Sequence, residues 1–259
     1  MYFSTEPVRI EDHRVRHWQI GTLSLWVRRS ENGEWLVANQ QVPGADEVLE
    51  EAAVLDEEPD GLKWQRYAVP ESEPTLSLMP QMPDRPLIVR PETPLTIATG
   101  GEGVFYALLP CWIGLTVGEG TKIATIPSVR LSGSWFGEPV SGELCYAMRT
   151  NARRGVEDLP PRPHRAVCTL RIANRDAKPL EVQRVCLHVG PLAIYRGTAH
   201  LWTSEVTLTN TAGDEPAEPH YGTAAPAADP HAELLSPARE PRDPKSLKAR
   251  FKAMRSFIA

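Results

Sequence analysis

The sequence predicts a mainly β protein, an antiparallel β-sandwich that forms either one large domain or two sandwich-like halves. Short runs that alternate apolar and polar residues follow one another from residue 85 to residue 210, separated by turn residues. The chain contains 25 prolines, about twice the average share, which argues against a mostly helical fold. With 259 residues, of which 41% are hydrophobic, it is long enough to bury a core without disulfides.

Composition and charge narrow the class of protein further. A net charge of −5 does not point to nucleic acid. The N-terminus lacks the pattern of a signal peptide, and no stretch reaches the roughly 20 apolar residues of a transmembrane helix. The four cysteines are widely spaced, as expected for reduced thiols. We therefore expect a cytoplasmic protein with no transmembrane segment and no nucleic-acid partner.

The N-terminal region, residues 1–84, is predicted to contain a β-hairpin and an acidic loop. Leu23, Leu25 and Val27 alternate with polar residues, and the pattern resumes at Glu34 after an Asn-Gly pair that favours a tight turn. The stretch 46–60 carries acidic residues and no basic one. We interpret it as a solvated loop, with a helical turn over 47–54 as the alternative. Several prolines place a possible domain boundary near residue 84, although one larger domain would fit as well.

The central region, residues 85–210, is predicted to be a β-sandwich. Its predicted strands are 104–109, 111–117, 122–130, 142–150, 165–173, 180–189, 192–196 and 201–209. We expect hairpins joined by residues 174–179 and by residues 197–200.

The C-terminal part is predicted to be a linker followed by one helix. Residues 211–244 are rich in proline and should run extended over the surface or stay mobile. Asp243 and Pro244 form a helix start, so residues 245–259 are predicted to be a basic amphipathic helix. Its predicted interaction residues are Leu247, Phe251, Met254 and Ile258 on the apolar stripe, with Lys248, Lys252 and Arg255.

Two of the cysteines are predicted to lie in the core. Cys111 and Cys168 each share a strand face with apolar residues. No two cysteines have the close spacing from which structural zinc sites are usually built.

The other two cysteines share strand faces with polar residues. Cys145 lies on one face with Glu143. Cys186 lies on one face with His188. If their strands are neighbours, these residues could hold a metal. We favour the simpler interpretation of small half-buried thiols, and we expect neither a metal nor a cofactor.

Catalytic motifs are missing from the sequence. It contains no G-x-S-x-G, no phosphate-binding loop, no G-x-G-x-x-G and no H-E-x-x-H. Cys186, between Arg184 and His188, is the nearest approach to a reactive thiol. The sequence favours a non-catalytic protein without deciding the question; a hydrolase or metal-binding enzyme is the third hypothesis.

An aromatic pair in the centre of the chain suggests a ligand-binding module as the second hypothesis. Trp135 and Phe136 lie in a predicted turn between Gly133 and Gly137, where they could stack on a sugar or an apolar group. The ligand-binding residues of this hypothesis are Trp135, Phe136, Glu143, Arg149, Arg153 and Arg154. The alternative, which we favour, is that Trp135 folds back and caps one end of the sandwich.

Four stretches of the chain resemble a known prokaryotic family. They are 85–91 (RPLIVRP), 134–146 (SWFGEPVSGELCY), 166–174 (AVCTLRIAN) and 201–205 (LWTSE). These motifs are similar to those of the domain of unknown function 432. The similarity extends over most of the chain, up to about residue 240. The family has no established activity, so the resemblance implies no catalytic residue. Its genes are often described near small-conductance mechanosensitive channels, which implies a cytosolic accessory to a membrane protein.

The first functional hypothesis is therefore a non-catalytic interaction or regulatory module. Its expected partner is a protein, such as the cytosolic part of a small-conductance mechanosensitive channel, and the chain could form a homo-oligomer. The apolar stripe of the C-terminal helix needs a docking surface. That surface could be the chain's own body, a partner or second copy, or an anionic membrane.

Overall fold

The computed structural model of the chain describes residues 5–12, 14–44, 49–55, 57–70, 73–140, 142–148, 151–211 and 218–240. Within those residues the protein is built from strands and contains no helix, which confirms the predicted mainly β class. The strands are β1 (Val8–Arg9), β2 (Val15–Ile20), β3 (Leu23–Arg29), β4 (Trp35–Gln41), β5 (Leu49–Leu55), β6 (Gln65–Tyr67), β7 (Thr75–Gln81), β8 (Leu87–Val89), β9 (Leu95–Ile97), β10 (Glu102–Pro110), β11 (Trp112–Val117), β12 (Thr121–Pro127), β13 (Ser132–Phe136), β14 (Glu143–Ala147), β15 (Arg165–Arg175), β16 (Leu180–Val182), β17 (Val185–Leu187), β18 (Ile194–Arg196), β19 (Leu201–Thr203), β20 (Val206–Thr211), β21 (Glu218–Tyr221) and β22 (Glu233–Ser236).

The chain forms two compact units, and it passes between them several times. The first unit comprises residues 1–81, 110–130 and 161–164. The second comprises residues 82–109, 131–160 and the described residues from 165 onward. Neither unit is therefore one continuous stretch of sequence.

The first unit contains two antiparallel sheets that share one hydrophobic core. One sheet has the order β5-β2-β3-β4-β6 and the other the order β1-β7-β11-β12. Leu23 and Leu25 of β3 belong to the same core as Ile113 and Leu115 of β11, and all four side chains are completely buried. The period-two pattern of these strands places one face of each sheet against the other, as in a sandwich.

The predicted hairpin in the first unit is confirmed. β3 and β4 pair antiparallel, from Leu23 opposite Gln41 to Arg29 opposite Trp35. Gly33 has a φ of +77°, a conformation that glycine adopts without steric cost. The backbone N–H of Gly33 donates to the carbonyl of Ser30 at 2.9 Å and closes the turn.

Both interpretations of the acidic stretch 46–60 are wrong over its described centre. Residues 49–55 form strand β5, which pairs antiparallel with β2, so they are neither a loop nor a helical turn. The run of acidic residues indicated solvation, but an outer strand of a sheet can pair its backbone whatever its charge. The remaining residues of the stretch lie partly outside the described residues.

The second unit is arranged around the 11-residue strand β15. Its largest sheet has the order β21-β20-β15-β19-β18-β22, and β10 also pairs with β15. A smaller sheet has the order β13-β14-β8-β17, and β9 pairs with β16 alone. Although most pairs are antiparallel, β15 runs parallel to both β19 and β20, and β14 runs parallel to β8. The sequence patterns did not predict these parallel pairs.

Of the two hairpins predicted in this unit, one is confirmed. β18 and β19 pair antiparallel around residues 197–200. The hairpin across residues 174–179 is wrong, because β16 pairs with β9 rather than with β15. Asn174 explains the difference: its side-chain amide donates to the carbonyls of Ile97 and Lys178, at 3.0 and 2.8 Å, and directs the chain onto β9.

The proline-rich stretch 211–244 forms two short strands where it is described, and bends and turns join them. It supplies β21, which pairs with β20, and β22, which pairs with β18. Tyr221 of β21 is only 6% exposed, so this stretch also contributes to the buried part of the unit. Among the described residues no helix is long and apolar enough to cross a bilayer.

Candidate functional site

The candidate site is the hairpin formed by β13 and β14, together with β17. β13 and β14 pair antiparallel, from Ser132 opposite Ala147 to Phe136 opposite Glu143. The connection turns at Gly137, whose φ is +108°, and the indole N–H of Trp135 donates to the carbonyl of Glu138 at 3.0 Å. The sequence predicted a turn around Trp135 and Phe136. That prediction is wrong, since both residues lie in strand β13 and the turn follows them.

One side of the hairpin, which we call the outer face, is apolar and exposed. Trp135 lies directly opposite Leu144, so the two side chains share this face. Trp135 is 50% exposed and Leu144 is 45% exposed. The favoured prediction that Trp135 folds back to cap the sandwich is therefore wrong. Val140, in the connection, is 98% exposed and extends the apolar surface to the tip of the hairpin.

Phe136 lies on the opposite side of the strand from Trp135. It is 3% exposed, and the guanidinium of Arg184 lies over its ring at 5.2 Å from the centroid. Phe136 is thus a core residue with a cation–π partner. Of the predicted aromatic pair, only Trp135 is available to a ligand.

The two predicted arginines that the structure describes, Arg153 and Arg154, contact residues other than Trp135. Arg153 forms an ion pair of 2.6 Å with Glu92. Arg154 lies over the ring of Phe105, 5.3 Å from its centroid. Arg149 lies outside the described residues.

The other side of the hairpin, the inner face, carries a buried polar cluster of Glu143, Cys145, Cys186 and His188. The Cys145 and Cys186 sulfur atoms are 3.4 Å apart. The Cys186 thiol donates to Glu143 Oε1 at 3.5 Å. His188 Nε2 lies 2.8 Å from the same carboxylate oxygen. Both cysteines are completely buried, His188 is 3% exposed, and the Glu143 side chain is 26% exposed.

Pairing to a shared neighbour brings this cluster together. β14 and β17 lie on opposite sides of β8, and Ile88 pairs with both Ala147 and Cys186. Residues two apart on a strand share a face, so Cys145 is placed beside Cys186, and His188 follows on the same side. The shared faces of Glu143 with Cys145, and of Cys186 with His188, were correctly predicted from the sequence.

The surroundings of the cluster keep the Cys186 thiol protonated. The hydrogen bond with Cys145 and, after it, burial raise the pKa of Cys186 well above its ordinary value. A protonated thiol is a poor nucleophile. As a donor set, however, two thiols, an imidazole and a carboxylate suit a metal ion that displaces the protons. The ligand atoms of Glu143, Cys145 and Cys186 all lie within 4.8 Å of one another.

Tyr221 is a neighbour of the cluster that the sequence analysis missed. Its hydroxyl donates to the backbone carbonyl of His188 at 3.1 Å. Burial, with smaller contributions from the nearby Cys168, Cys186, Glu240 and Glu143, raises the pKa of Tyr221. The signal was hidden because Tyr221 lies in the proline-rich stretch that was interpreted as a linker.

The predicted C-terminal interaction helix, residues 245–259, lies outside the described residues. Its residues stay a prediction from the sequence.

Comparison with known proteins identifies the family alone. A family model described as "Protein of unknown function (DUF432)" matches residues 6–255, nearly the whole chain, so the resemblance noted in the sequence is confirmed. Neither the curated proteins nor the solved structures contain a match to this chain.

Proposed function

We propose that this chain, which belongs to the DUF432 family of proteins of unknown function, is a non-catalytic interaction module that binds a protein partner through the β13–β14 hairpin. The observation that carries the proposal is the exposed pair of Trp135 and Leu144, at 50% and 45%. Tryptophan is highly buried on average, and it is enriched among the residues that dominate binding energy at protein interfaces. A partner that covers this pair removes a large apolar surface from water.

The position of β13 supports the same proposal. β13 is the end strand of the sheet β13-β14-β8-β17, and Ser132, Gly133 and Trp135 are exposed along it. An edge strand offers backbone groups to an additional strand, and side chains on its open face add specificity. The proposed partner segment is therefore extended, pairs with β13, and lays apolar side chains on Trp135 and Leu144.

The proposal places the protein in the cytosol, next to a membrane protein. All four cysteines are buried and none of them forms a disulfide, which agrees with a reducing compartment. The family resemblance implies a small-conductance mechanosensitive channel as the first partner to test. The basic residues of the predicted C-terminal helix, among them Lys248 and Arg255, would add contacts to an acidic or lipid surface. In this role the module would regulate its partner rather than act on a substrate.

Carbohydrate binding is the second candidate, and the exposed indole of Trp135 favours it. Fewer of the residues predicted for this role are available to a ligand than the sequence suggested. Phe136 is buried, and Arg153 and Arg154 contact Glu92 and Phe105 instead of facing Trp135.

The test compares surface variants of the full chain in affinity capture from membrane and soluble fractions of the native cell. The double variant W135S/L144S removes the outer face, and L234S is the matched control, because Leu234 is another exposed leucine of this unit, at 61%. A captured protein is then purified and titrated against each variant. We expect W135S/L144S to weaken binding at least about tenfold, because the hot-spot residues of interfaces, among which tryptophan is enriched, cost about 2 kcal/mol or more on truncation. We expect L234S to leave binding unchanged.

Two outcomes would contradict the proposal. One is a partner that binds W135S/L144S as tightly as the unaltered chain. The other is binding of an oligosaccharide, measured by calorimetry, that depends on Trp135 while no protein partner does. Truncation after residue 240 tests separately whether the C-terminal segment contributes to recognition.

A further inference from the structure

We propose that the inner face of the β13–β14 hairpin is a structural zinc site, with Cys145, Cys186, Glu143 and His188 as its four ligands. Glu143 and Cys145 come from β14, Cys186 comes from β17, and His188 directly follows β17. The ligand atoms of Glu143, Cys145 and Cys186 nevertheless lie within 4.8 Å of one another. His188 Nε2 adjoins this group through Glu143 Oε1, at 2.8 Å. The inference goes beyond the proposed function, since it concerns the opposite face of the hairpin. It does not depend on whether a partner protein binds the outer face.

Three of the distances between donor atoms are close to those around a tetrahedral zinc ion. Zn–S bonds of about 2.3 Å and Zn–N or Zn–O bonds of about 2.0 Å put two sulfurs about 3.8 Å apart, a sulfur and an oxygen about 3.5 Å apart, and a nitrogen and an oxygen about 3.3 Å apart. The corresponding separations here are 3.4 Å for the Cys145 and Cys186 sulfurs and 3.5 Å from Cys186 to Glu143. From His188 Nε2 to Glu143 Oε1 the distance is 2.8 Å. Shifts of about half an ångström or less bring these three separations to tetrahedral values. His188 Nε2 lies outside the group of ligand atoms that are within 4.8 Å of one another, so its imidazole has to move towards the sulfurs when the ion binds.

The chemistry of the donors selects the metal. Two sulfurs and one imidazole disfavour Mg²⁺ and Ca²⁺, which take oxygen ligands. Zn²⁺ is borderline-soft and accepts sulfur, nitrogen and carboxylate oxygen together. Four protein ligands fill its coordination sphere, and the ion would have no open position for a substrate. The site is therefore structural.

Burial prepares the site for the ion. Cys145 and Cys186 are completely buried and His188 is 3% exposed, so the ligands have few alternative positions. The hydroxyl of Tyr221 holds the backbone carbonyl of His188 at 3.1 Å. Such second contacts orient metal ligands and tune their affinity. Binding would replace the two thiol protons and the contact between Glu143 and His188 with four metal bonds.

The zinc would fasten the hairpin to the rest of its sheet. β14 pairs with β8 only at Tyr146 and Ala147. A metal bond between Cys145 and Cys186 adds a link across β8 over 41 positions of sequence. The outer face, with Trp135 and Leu144, would then be held on a rigid support.

The experiment measures metal content and spectrum of the full chain purified without chelator or affinity tags that bind metal. We expect one equivalent of zinc by elemental analysis. We also expect that cobalt replacement gives a thiolate-to-cobalt charge-transfer band together with the intense visible bands of tetrahedral cobalt. The double variant C145S/C186S should lose both the zinc and the charge-transfer band. C168S, which changes a third completely buried cysteine outside the cluster, should keep them.

A further variant keeps the proposal testable if C145S/C186S fails to fold. E143Q changes a side chain that is 26% exposed and keeps its shape, so it should fold and lower zinc affinity at least about tenfold. The proposal is overturned if the folded chain takes up neither zinc nor cobalt, or if C168S loses the metal as C145S/C186S does. It is also overturned if mass spectrometry under the same conditions shows a disulfide between Cys145 and Cys186 in place of the metal.

Discussion

Gly21 leaves room for the buried imidazole of His164 because it has no side chain. A Cβ at this position would collide with His164 Nδ1, and His164 is completely buried and cannot swing into solvent. Gly21 also has a φ of +56°, which disfavours any L-residue with a Cβ. We predict that G21A lowers the free energy of unfolding by more than about 2 kcal/mol, measured by chemical denaturation.

The matched control for G21A is G44A. Gly44 has a φ of +83°, but no atom of the described residues lies within 4 Å of a Cβ built there. This variant carries the backbone strain without the collision, so it should cost only about 1 kcal/mol. Equal losses for the two variants would show that His164 makes no difference.

The thiol of Cys168 should make stability depend on alkaline pH. Complete burial raises its pKa from 9.0 to about 12, and Glu205 adds to the rise, while a hydrogen bond with Thr203 opposes it. Above pH 9 the unfolded chain loses this proton before the folded chain does, so the folded state is destabilised as pH rises from 9 towards 12. Below pH 9 the thiol is protonated in both states and does not make the free energy of unfolding depend on pH.

The measurement for Cys168 is the free energy of unfolding at several pH values from 7 to 11, for the unaltered chain and for C168A. We predict a shallower loss above pH 9 in the variant, by up to about 1.4 kcal/mol per pH unit. The difference at pH 7 gives the packing cost of the substitution. Parallel curves above pH 9 would show that Cys168 does not titrate in this way.

For single side chains, the sequence predicted which residues are buried better than it predicted which residues from different strands come together. The period-two pattern correctly placed Cys111 and Cys168 in the core, where both are completely buried. It also identified the faces that carry Cys145 and Cys186. That their strands meet across β8 depends on strand order, which side-chain pattern does not encode. For this reason Cys145 and Cys186, which were expected to be half-buried, are completely buried.

At the level of strands, one buried amide, that of Asn174, holds the C-terminal end of β15 in place. Asn174 is completely buried, and its side chain donates to the carbonyls of Ile97 and Lys178 at 3.0 and 2.8 Å. Its oxygen accepts from the backbone N–H of Asp176 and from the Asn210 amide, both at 3.1 Å. One residue thereby connects β15 with β9, β20 and the turn before β16.

We predict that N174A destabilises the chain by about 2 to 4 kcal/mol, because several buried polar groups lose their partner at once. The control is N39A, at an exposed position of β4, where a change within about 0.5 kcal/mol is expected. Thermal or chemical unfolding measures both. A loss for N174A no greater than that for N39A would mean that neighbouring groups replace these bonds.

Turn chemistry explains which hairpins the sequence could predict. The Asn32-Gly33 pair closes β3 onto β4 through local bonds alone. Residues 174–179 also look like a turn, but the bonds of Asn174 reach β9, some 77 positions away. Long-range contacts of this kind, like the parallel pairs of β15 with β19 and β20, leave no local signal.

For the whole molecule, the shared core of the first unit means that residues 1–84 need β11 and β12 in order to fold. Ile113 and Leu115 of β11 are completely buried in the same core as Leu23 and Leu25 of β3. A fragment of residues 1–84 lacks β11 and β12, so it would leave that core open to water. We predict that this fragment is unfolded in circular dichroism and shows no dispersed amide signals, whereas the full chain does. A cooperative unfolding transition of the fragment would contradict the prediction.

The central claim is that the outer face of the β13–β14 hairpin is the surface that a protein partner covers. The most direct measurement places a photo-crosslinking amino acid at Leu144 or at Leu234 of the full chain in the native cell. Both side chains are exposed, at 45% and 61%, so an unspecific neighbour would be captured from either position. The proposal predicts one defined crosslinked protein from Leu144, lost in W135S, and none of it from Leu234. Equal capture from both positions, or none from Leu144, would contradict it.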